Sequence, residues 1–344
     1  MTKAFIIAEA GVNHNGNINI AKRLIDAAVQ AGSDAVKFQA FIADKLVSKG
    51  AKKADYQIKN MSKSEEAQYE MLKKLEFSNK DFRELKDYCD SNDIEFMTTP
   101  FDEDSADSVV DLLKRIKIPS GEITNLPFVK YLAQKGKPLI LSTGMSTLGE
   151  VEKAVNILAE NQNIDEGDIP TLTVLHCTTN YPCPYEEVNL NAMLTLKNAF
   201  NLPVGYSDHT LGIEVPIAAA AMGATVVEKH FTLDRSMEGP DHKASLEPDE
   251  LKRMVQSIRN IEIAIGDGRK RPNQSELKIM NDVRKSIIAK EEISSGTKIT
   301  SNMIEIKRPG NGLPPDDMEK IIGLRIYKDK KAEDVLTWED FKYE

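Results

Sequence analysis

The chain has 344 residues, a formal net charge of -9 and three cysteines, with 41% hydrophobic and 29% charged residues. That balance suits a globular protein in water, and the negative charge excludes nucleic acid or an anionic membrane as the principal partner, because both demand a basic face. Cys89, Cys177 and Cys183 are too few and odd in number for a disulfide framework. No apolar run approaches the roughly 20 residues that cross a bilayer, and the start MTKAFIIAEAG is too short in apolar residues for a signal peptide, so a cytoplasmic location is expected.

In chain order, eight short apolar runs finish on polar or charged residues: AFIIAEAG, DAVKFQA, IEFMTTP, RIKIPSGE, PLILSTG, TLTVLHCT, PVGYSDH and ATVVEKHF. Helical patterns such as NIAKRLIDAAVQAG, NKDFRELKDYCDSND and LGEVEKAVNILAE fall between them. Strand and helix in alternation mean parallel strands joined by crossovers, and AEAGVNHNG lacks the glycine spacing of a doubly wound dinucleotide fold. A (β/α)8 TIM barrel is therefore expected over residues 1–266, with its chemistry at the C-terminal ends of the strands. After KFQA a long connection, partly helical through SEEAQYEMLKKLEF over residues 64–77, reads as a lid or substrate loop. A linker helix is expected over residues 267–282, followed by a small β-rich domain over 283–344 whose RPGNGLPP loop presents Arg308 from a stiff turn.

The strand period of two then selects side chains. In ATVVEKHF it puts Val226, Glu228 and His230 on one face and Lys229 on the other, and in GYSDH it pairs Ser207 with His209. Two histidines at adjacent strand ends, with Asp241 following, suit a divalent ion, Mn2+ before Mg2+ or Co2+, with positions left open for water and substrate. Lys37 and Gln39 share a parity in DAVKFQA, and a lysine inside a barrel needs an anion. Lys117, Ser120 and Glu122 end the fourth run, Thr99 the third and Ser142 the fifth, so lysines, hydroxyls and a turn amide could cradle a phosphate or carboxylate. Glu9 is expected at the rim near the hydroxyls of a neutral ligand. Glu122 is the other candidate acid or base, and either glutamate could instead pair structurally with Lys37 or Lys117.

The motifs IAEAGVNHNG, VKFQ, TTPFD, KIPSGE, LSTGM, LHCTTNYP, GYSDHT, EKHFTLD and GPDHKAS together resemble the sialic acid synthase family, and KRPGNG resembles its antifreeze-like (SAF) terminal domain. The resemblance covers essentially the whole chain. It implies condensation of phosphoenolpyruvate with an open-chain N-acyl mannosamine. By it, His209 and His230 would be metal ligands, and Lys37, Thr99, Lys117, Ser120, Ser142 and Ser207 would contact phosphoenolpyruvate. Glu9 and Asp241 would face the sugar, Tyr181 would line the N-acyl pocket, Glu122 would move protons, and Arg308 would come from the other subunit of a domain-swapped homodimer. Some members place an asparagine two residues before that tyrosine, where this chain has Thr179. N-acetylneuraminate is the expected product. The alternative is N,N'-diacetyllegionaminate, made from 2,4-diacetamido-2,4,6-trideoxymannose. A phosphate-free metal aldolase, a Schiff-base lyase using Lys37 and a carbohydrate- or ice-binding protein are weaker rivals, the last because it leaves two inward histidines unexplained.

Overall fold

The computed structural model describes residues 3–54, 57–58, 67–161 and 171–342. They form two compact units that divide between Asp267 and Gly268. In the first, eight parallel strands follow one another: β1 (Phe5–Gly11), β2 (Ala35–Ala40), β3 (Glu95–Pro100), β4 (Ile116–Ile118), β5 (Leu139–Ser142), β6 (Leu172–Cys177), β7 (Val204–Asp208) and β8 (Val226–His230). The ladder runs β3-β2-β1-β8-β7-β6-β5-β4, with β3 lying against β4 at the seam. Helices connect the strands, and the result is the expected (β/α)8 TIM barrel.

Local chemistry sets the helix ends. Asn17 accepts the N–H groups of Asn19 and Ile20 at the start of the helix Ile18–Ala31, and Gly32, at φ 78°, closes it in the left-handed conformation that glycine tolerates best. The helix Asn79–Ser91 opens on a capping box between Ser78 and Asp81. From the long connection after β2, the helix Gln68–Lys73 is present, whereas residues 64–66 of the longer expected helix lie outside the described residues.

Inside the barrel, one apolar cluster contains Ile7, Ala35, Met97, Ile140, Leu175 and Val226, one from each of six strands. Two residues further along the same strands stand Glu9, Lys37, Thr99, Ser142, Cys177 and Glu228, all buried and all lining one cavity. A strand advances about 3.3 Å per residue and returns to the same face every second residue, so the polar tier lies about 7 Å above the apolar one. Register aligns it laterally: Glu9 pairs with Lys37 on β2 and with His230 on β8, Gln39 with Thr99, and Ser207 with Glu228. The ladder between β1 and β2 slips between Glu9 and Gly11. Gly11 sits at φ 51°, where a Cβ would press to 3.3 Å from the Glu9 carboxylate, so glycine keeps that end of the barrel open. On the outer face, the alternate residues Asp208 and Lys229 form a fully buried ion pair that also engages the Thr210 carbonyl.

The second unit contains the helix Gln274–Val283 and an antiparallel pair, β9 (Ser286–Ala289) and β10 (Ile304–Lys307), in which Ile304 faces Ala289. Its own small core gathers Ile287, Ile293, Ile299, Leu313, Ile321 and Leu336. Among the described residues, no helix is long and apolar enough to cross a membrane.

Candidate active site

At the C-terminal end of the barrel strands lies a cavity of about 290 Å3. Its deepest polar feature is an alternating set of charges. Lys37 Nζ lies 2.7 Å from Glu9 Oε2, donates to Thr99 Oγ1 at 2.8 Å and stands 3.6 Å from Glu228 Oε1. Lys117 donates to the same Glu228 oxygen at 3.3 Å, and Ser207 donates to it at 3.1 Å. Burial favours the neutral form of every member of this set, and the pairings decide which of them stay charged. Burial pushes the Glu9 carboxyl up to about 7, against the opposing pull of Lys37. It also opposes ionisation of Glu228, but Lys117 and Lys37 overcome it and hold that carboxyl well below the usual range. Lys37 is likewise disfavoured by burial yet kept protonated by Glu228 and Glu9, whereas Lys117 is shifted downward because burial dominates. Lys117 is thus the lysine whose charge is least compensated by the protein, and an incoming anion would complete it.

The histidines expected from β7 and β8 do converge. Their ring centroids are 5.5 Å apart, and the Tyr181 ring lies 4.1 Å from His209. Burial lowers His209 to about 4 and takes His230 well below its ordinary value, with His209 adding to the latter effect, so both rings are neutral at pH 7. His209 Nδ1 is 2.6 Å from the Thr178 carbonyl, which can only accept, so this nitrogen carries the proton and Nε2 keeps its lone pair. His230 Nδ1 is buried with no hydrogen-bond partner among the described residues. Neutral rings, one oriented by a carbonyl and one with an unspent nitrogen, fit a divalent ion held by two imidazoles. Among the described residues no group of three His, Cys, Asp or Glu is arranged as a ligand set, so the other positions of such an ion fall to substrate and water.

A third group is made of hydroxyls. Ser120 Oγ accepts the Gly144 N–H at 2.9 Å and lies 3.0 Å from Cys177 Sγ. The hydroxyls of Ser142 and Thr179 are buried without partners among the described residues. A Cβ on Gly144 would come within 2.2 Å of the Thr179 hydroxyl, so only glycine lets the β5 turn approach this corner. Unspent hydroxyls that line the same cavity as a lysine match the oxygens of a phosphate or carboxylate.

Gln39 and Asp241 also line the cavity. Gln39 lies 3.5 Å from Glu9, and burial raises the Asp241 carboxyl to about 6. Glu9 does not stand open at the rim: it is 2% exposed and paired with Lys37 inside the barrel, the alternative the sequence had left open. Glu122 does not line the cavity, although its neighbours Ser120 and Gly121 do. It belongs to a short helical turn past the end of β4, where strand parity no longer holds, and it accepts from Asn125 Nδ2 at 2.7 Å. Arg308 is exposed in the second unit, directly after β10. Sequence reasoning left out Glu228 although parity had placed it beside His230, and it left out Cys177, while Thr179 entered only as a departure from the family's pattern. It read the connection after β2 as a lid or substrate loop with a helical stretch, but did not single out the apolar residues by which that connection lines the cavity. His14 accepts the Gly16 N–H at 3.0 Å and stacks on Phe77, away from the cavity lining.

Fold and site together define a carbon–carbon bond-forming transferase of the sialic acid synthase type. The chain belongs to the NeuB family, whose model matches residues 24–270, and residues 284–342 match the SAF domain. It is 50% identical to the N,N'-diacetyllegionaminic acid synthase of Legionella pneumophila over 97% of this chain and 94% of that protein. The enzyme of the same name from Campylobacter jejuni is also 50% identical, over 98% of this chain and 99% of its own length. The crystal structure of an N-acetylneuraminic acid synthetase from Leptospira borgpetersenii superposes with a TM-score of 0.69 at 35% identity, covering 81% of this chain and 90% of that one.

Proposed function

We propose that this protein condenses phosphoenolpyruvate with 2,4-diacetamido-2,4,6-trideoxymannose to give N,N'-diacetyllegionaminate and phosphate. This replaces the preference for N-acetylneuraminate drawn from motifs alone. Those motifs are shared by the family and cannot rank its sugars, whereas the two relatives at 50% identity bear the legionaminic name. The observation that carries the chemistry is the meeting of two buried lysines, two neutral imidazoles and two unspent hydroxyls in one cavity.

Lys117, Ser142 and Ser120 bind the phosphate and carboxylate oxygens of phosphoenolpyruvate, with Thr179 as a further donor, and Lys37 holds Glu9 and Glu228 beside them. His209 and His230 hold a divalent metal, Mn2+ before Mg2+ or Co2+, which when bound polarises the sugar aldehyde oxygen. C3 of the enol attacks the aldehyde carbon, and the aldehyde oxygen takes a proton to become a hydroxyl. Water adds at C2 and gives up a proton, and as the bond from C2 to the bridging oxygen breaks, the new C2 hydroxyl loses its proton to become the ketone and phosphate leaves. Fixed donors stabilise the charge that moves through these steps, because they need no reorganisation. Glu122, one residue beyond Gly121 at the cavity edge, moves the proton to or from the sugar, and Tyr181 packs against its N-acyl group. Asp241 accepts from a sugar hydroxyl. Arg308 completes the anion site of a second copy in a domain-swapped homodimer.

The test is phosphate release with phosphoenolpyruvate and each of the two sugars. Sugar-dependent phosphate, with the trideoxy sugar turned over faster, supports the reading. No phosphate above the no-sugar control would overturn it.

A further inference from the structure

The cavity has two chemically different linings. The strand-borne lining is polar, as described. The other comes from the connection between β2 and the helix Asn79–Ser91 and presents Leu46, Val47, Met71, Leu72 and Leu75. Among the described residues of that connection, the only polar side chains lining the cavity are the carboxamides of Gln57 and Gln68. Among those described residues, no charged side chain reaches the lining.

This apolar lining is built rather than draped. Met71, Leu72 and Leu75 are buried in one cluster with Val12, Phe41 and Ala43. On the outer side, Tyr69 and Lys73 both bond Asp44, at 2.9 and 3.2 Å, and Lys73 also pairs with Glu76. Glu76 in turn accepts the Ala43 N–H at 2.5 Å. Polar ties on one face and packed aliphatic groups on the other hold the two short helices Ala43–Leu46 and Gln68–Lys73 as a wall. The carboxamides are oriented as well: Gln57 Oε1 accepts the Ala54 N–H at 2.9 Å and lies 3.4 Å from Gln68 Nε2. That leaves Gln57 an N–H to donate and Gln68 a carbonyl to accept, the complement of an acetamido group.

We propose that this wall selects the sugar: Val47, Met71 and Leu72 receive the methyl group of a 6-deoxy sugar, and Gln57 with Gln68 pair its second acetamido group. The inference rests on the substrate reading above and deepens it by naming the residues that discriminate. A hydroxymethyl group set against Val47, Met71 and Leu72 would lose water and gain no partner, while a methyl group loses nothing. A difference of this kind in a pocket gives about 10- to 200-fold in kcat/KM. A 4-hydroxyl cannot span both carboxamides and leaves one of them unpaired.

The experiment measures kcat/KM by phosphate release for four sugars: the 2,4-diacetamido-2,4,6-trideoxy sugar, its 6-hydroxy counterpart, its 4-hydroxy counterpart and N-acetylmannosamine. They are compared in the wild type, Leu72→Asn, Val47→Thr and Gln57→Leu. Val47 is only half-buried and threonine has nearly its shape, so Val47→Thr reports even if Leu72→Asn unfolds. Leu72→Asn or Val47→Thr is expected to shrink the 6-deoxy preference about tenfold and leave the 4-acetamido preference in place; Gln57→Leu is expected to do the reverse. A wild type that uses the trideoxy sugar, with folded variants whose two preferences do not move, overturns the assignment of the wall while the substrate reading stands. A wild type that makes phosphate only with N-acetylmannosamine overturns the substrate reading and the wall with it.

Discussion

Two tiers of the barrel interior are equally hidden from water and do opposite things with that burial. In the lower tier, Ile7, Met97, Ile140 and Leu175 release water at no electrostatic cost, so burial there stabilises the fold. In the upper tier, Glu9, Lys37, Lys117 and Glu228 lose hydration that each would rather keep, and only mutual pairing offsets the loss. The comparison teaches where this barrel stores reactivity: in the buried charged tier, where Glu9, two residues beyond Ile7 and raised to about 7, has neutral and ionised forms close in energy.

Replacing one member of each tier gives the largest contrast. Lys37→Met strands Glu9 without its cation and leaves Glu228 with Lys117 alone, and should cost about 3–5 kcal/mol in urea unfolding at pH 8. The penalty should shrink toward pH 5, because the orphaned carboxyls take up protons. Leu175→Ala should cost about 2–5 kcal/mol with no such pH dependence, since it leaves a cavity and no charge. Equal pH profiles for the two variants would break the distinction. Glu122→Gln asks whether proton movement lies outside the buried tier: kcat should fall about 100-fold with KM for phosphoenolpyruvate within about twofold.

Asp241→Asn sharpens the same point by removing a buried charge that has no cation beside it among the described residues. Its carboxyl is raised to about 6 by burial, so the wild type loses stability as pH rises from about 4 through about 6. The amide should therefore gain on the order of 2–3 kcal/mol at pH 7.5, and the gain should vanish below about pH 4. Activity should fall at the same time. Arg308→Ala should have the smallest effect, raising KM for phosphoenolpyruvate about tenfold, the worth of one exposed charge pair brought to an anion, with the melting temperature unchanged.

Much of this arrangement was legible from residue order. The run VVEKH carries its own parity, and the structure places Val226, Glu228 and His230 on the inner face with Lys229 outside, buried against Asp208. Lys37, Thr99, Ser142, Ser207 and His209 follow the same rule. Parity fails at Glu122, because the strand has already ended in a helical turn, and it says nothing about depth, which is why Glu9 looked like a rim residue. The wall of Val47, Met71 and Leu72 was legible only as a candidate lid or substrate loop with a helical stretch: its residues are ordinary core aliphatics whose exposure to the cavity exists only after the connection packs against Val12, Phe41 and Phe101. The motifs are common to the family, so they pointed to its reaction and did not rank its sugars.

The central claim is that the upper tier assembles a two-imidazole metal site beside an anion cradle. Anomalous diffraction from crystals soaked with Mn2+ and phosphoenolpyruvate tests it most directly. A single strong peak within coordination distance of His209 and His230, with the phosphate oxygens near Lys117 and Ser142, is the expected result. Manganese bound elsewhere, or phosphoenolpyruvate bound away from these residues, would contradict it.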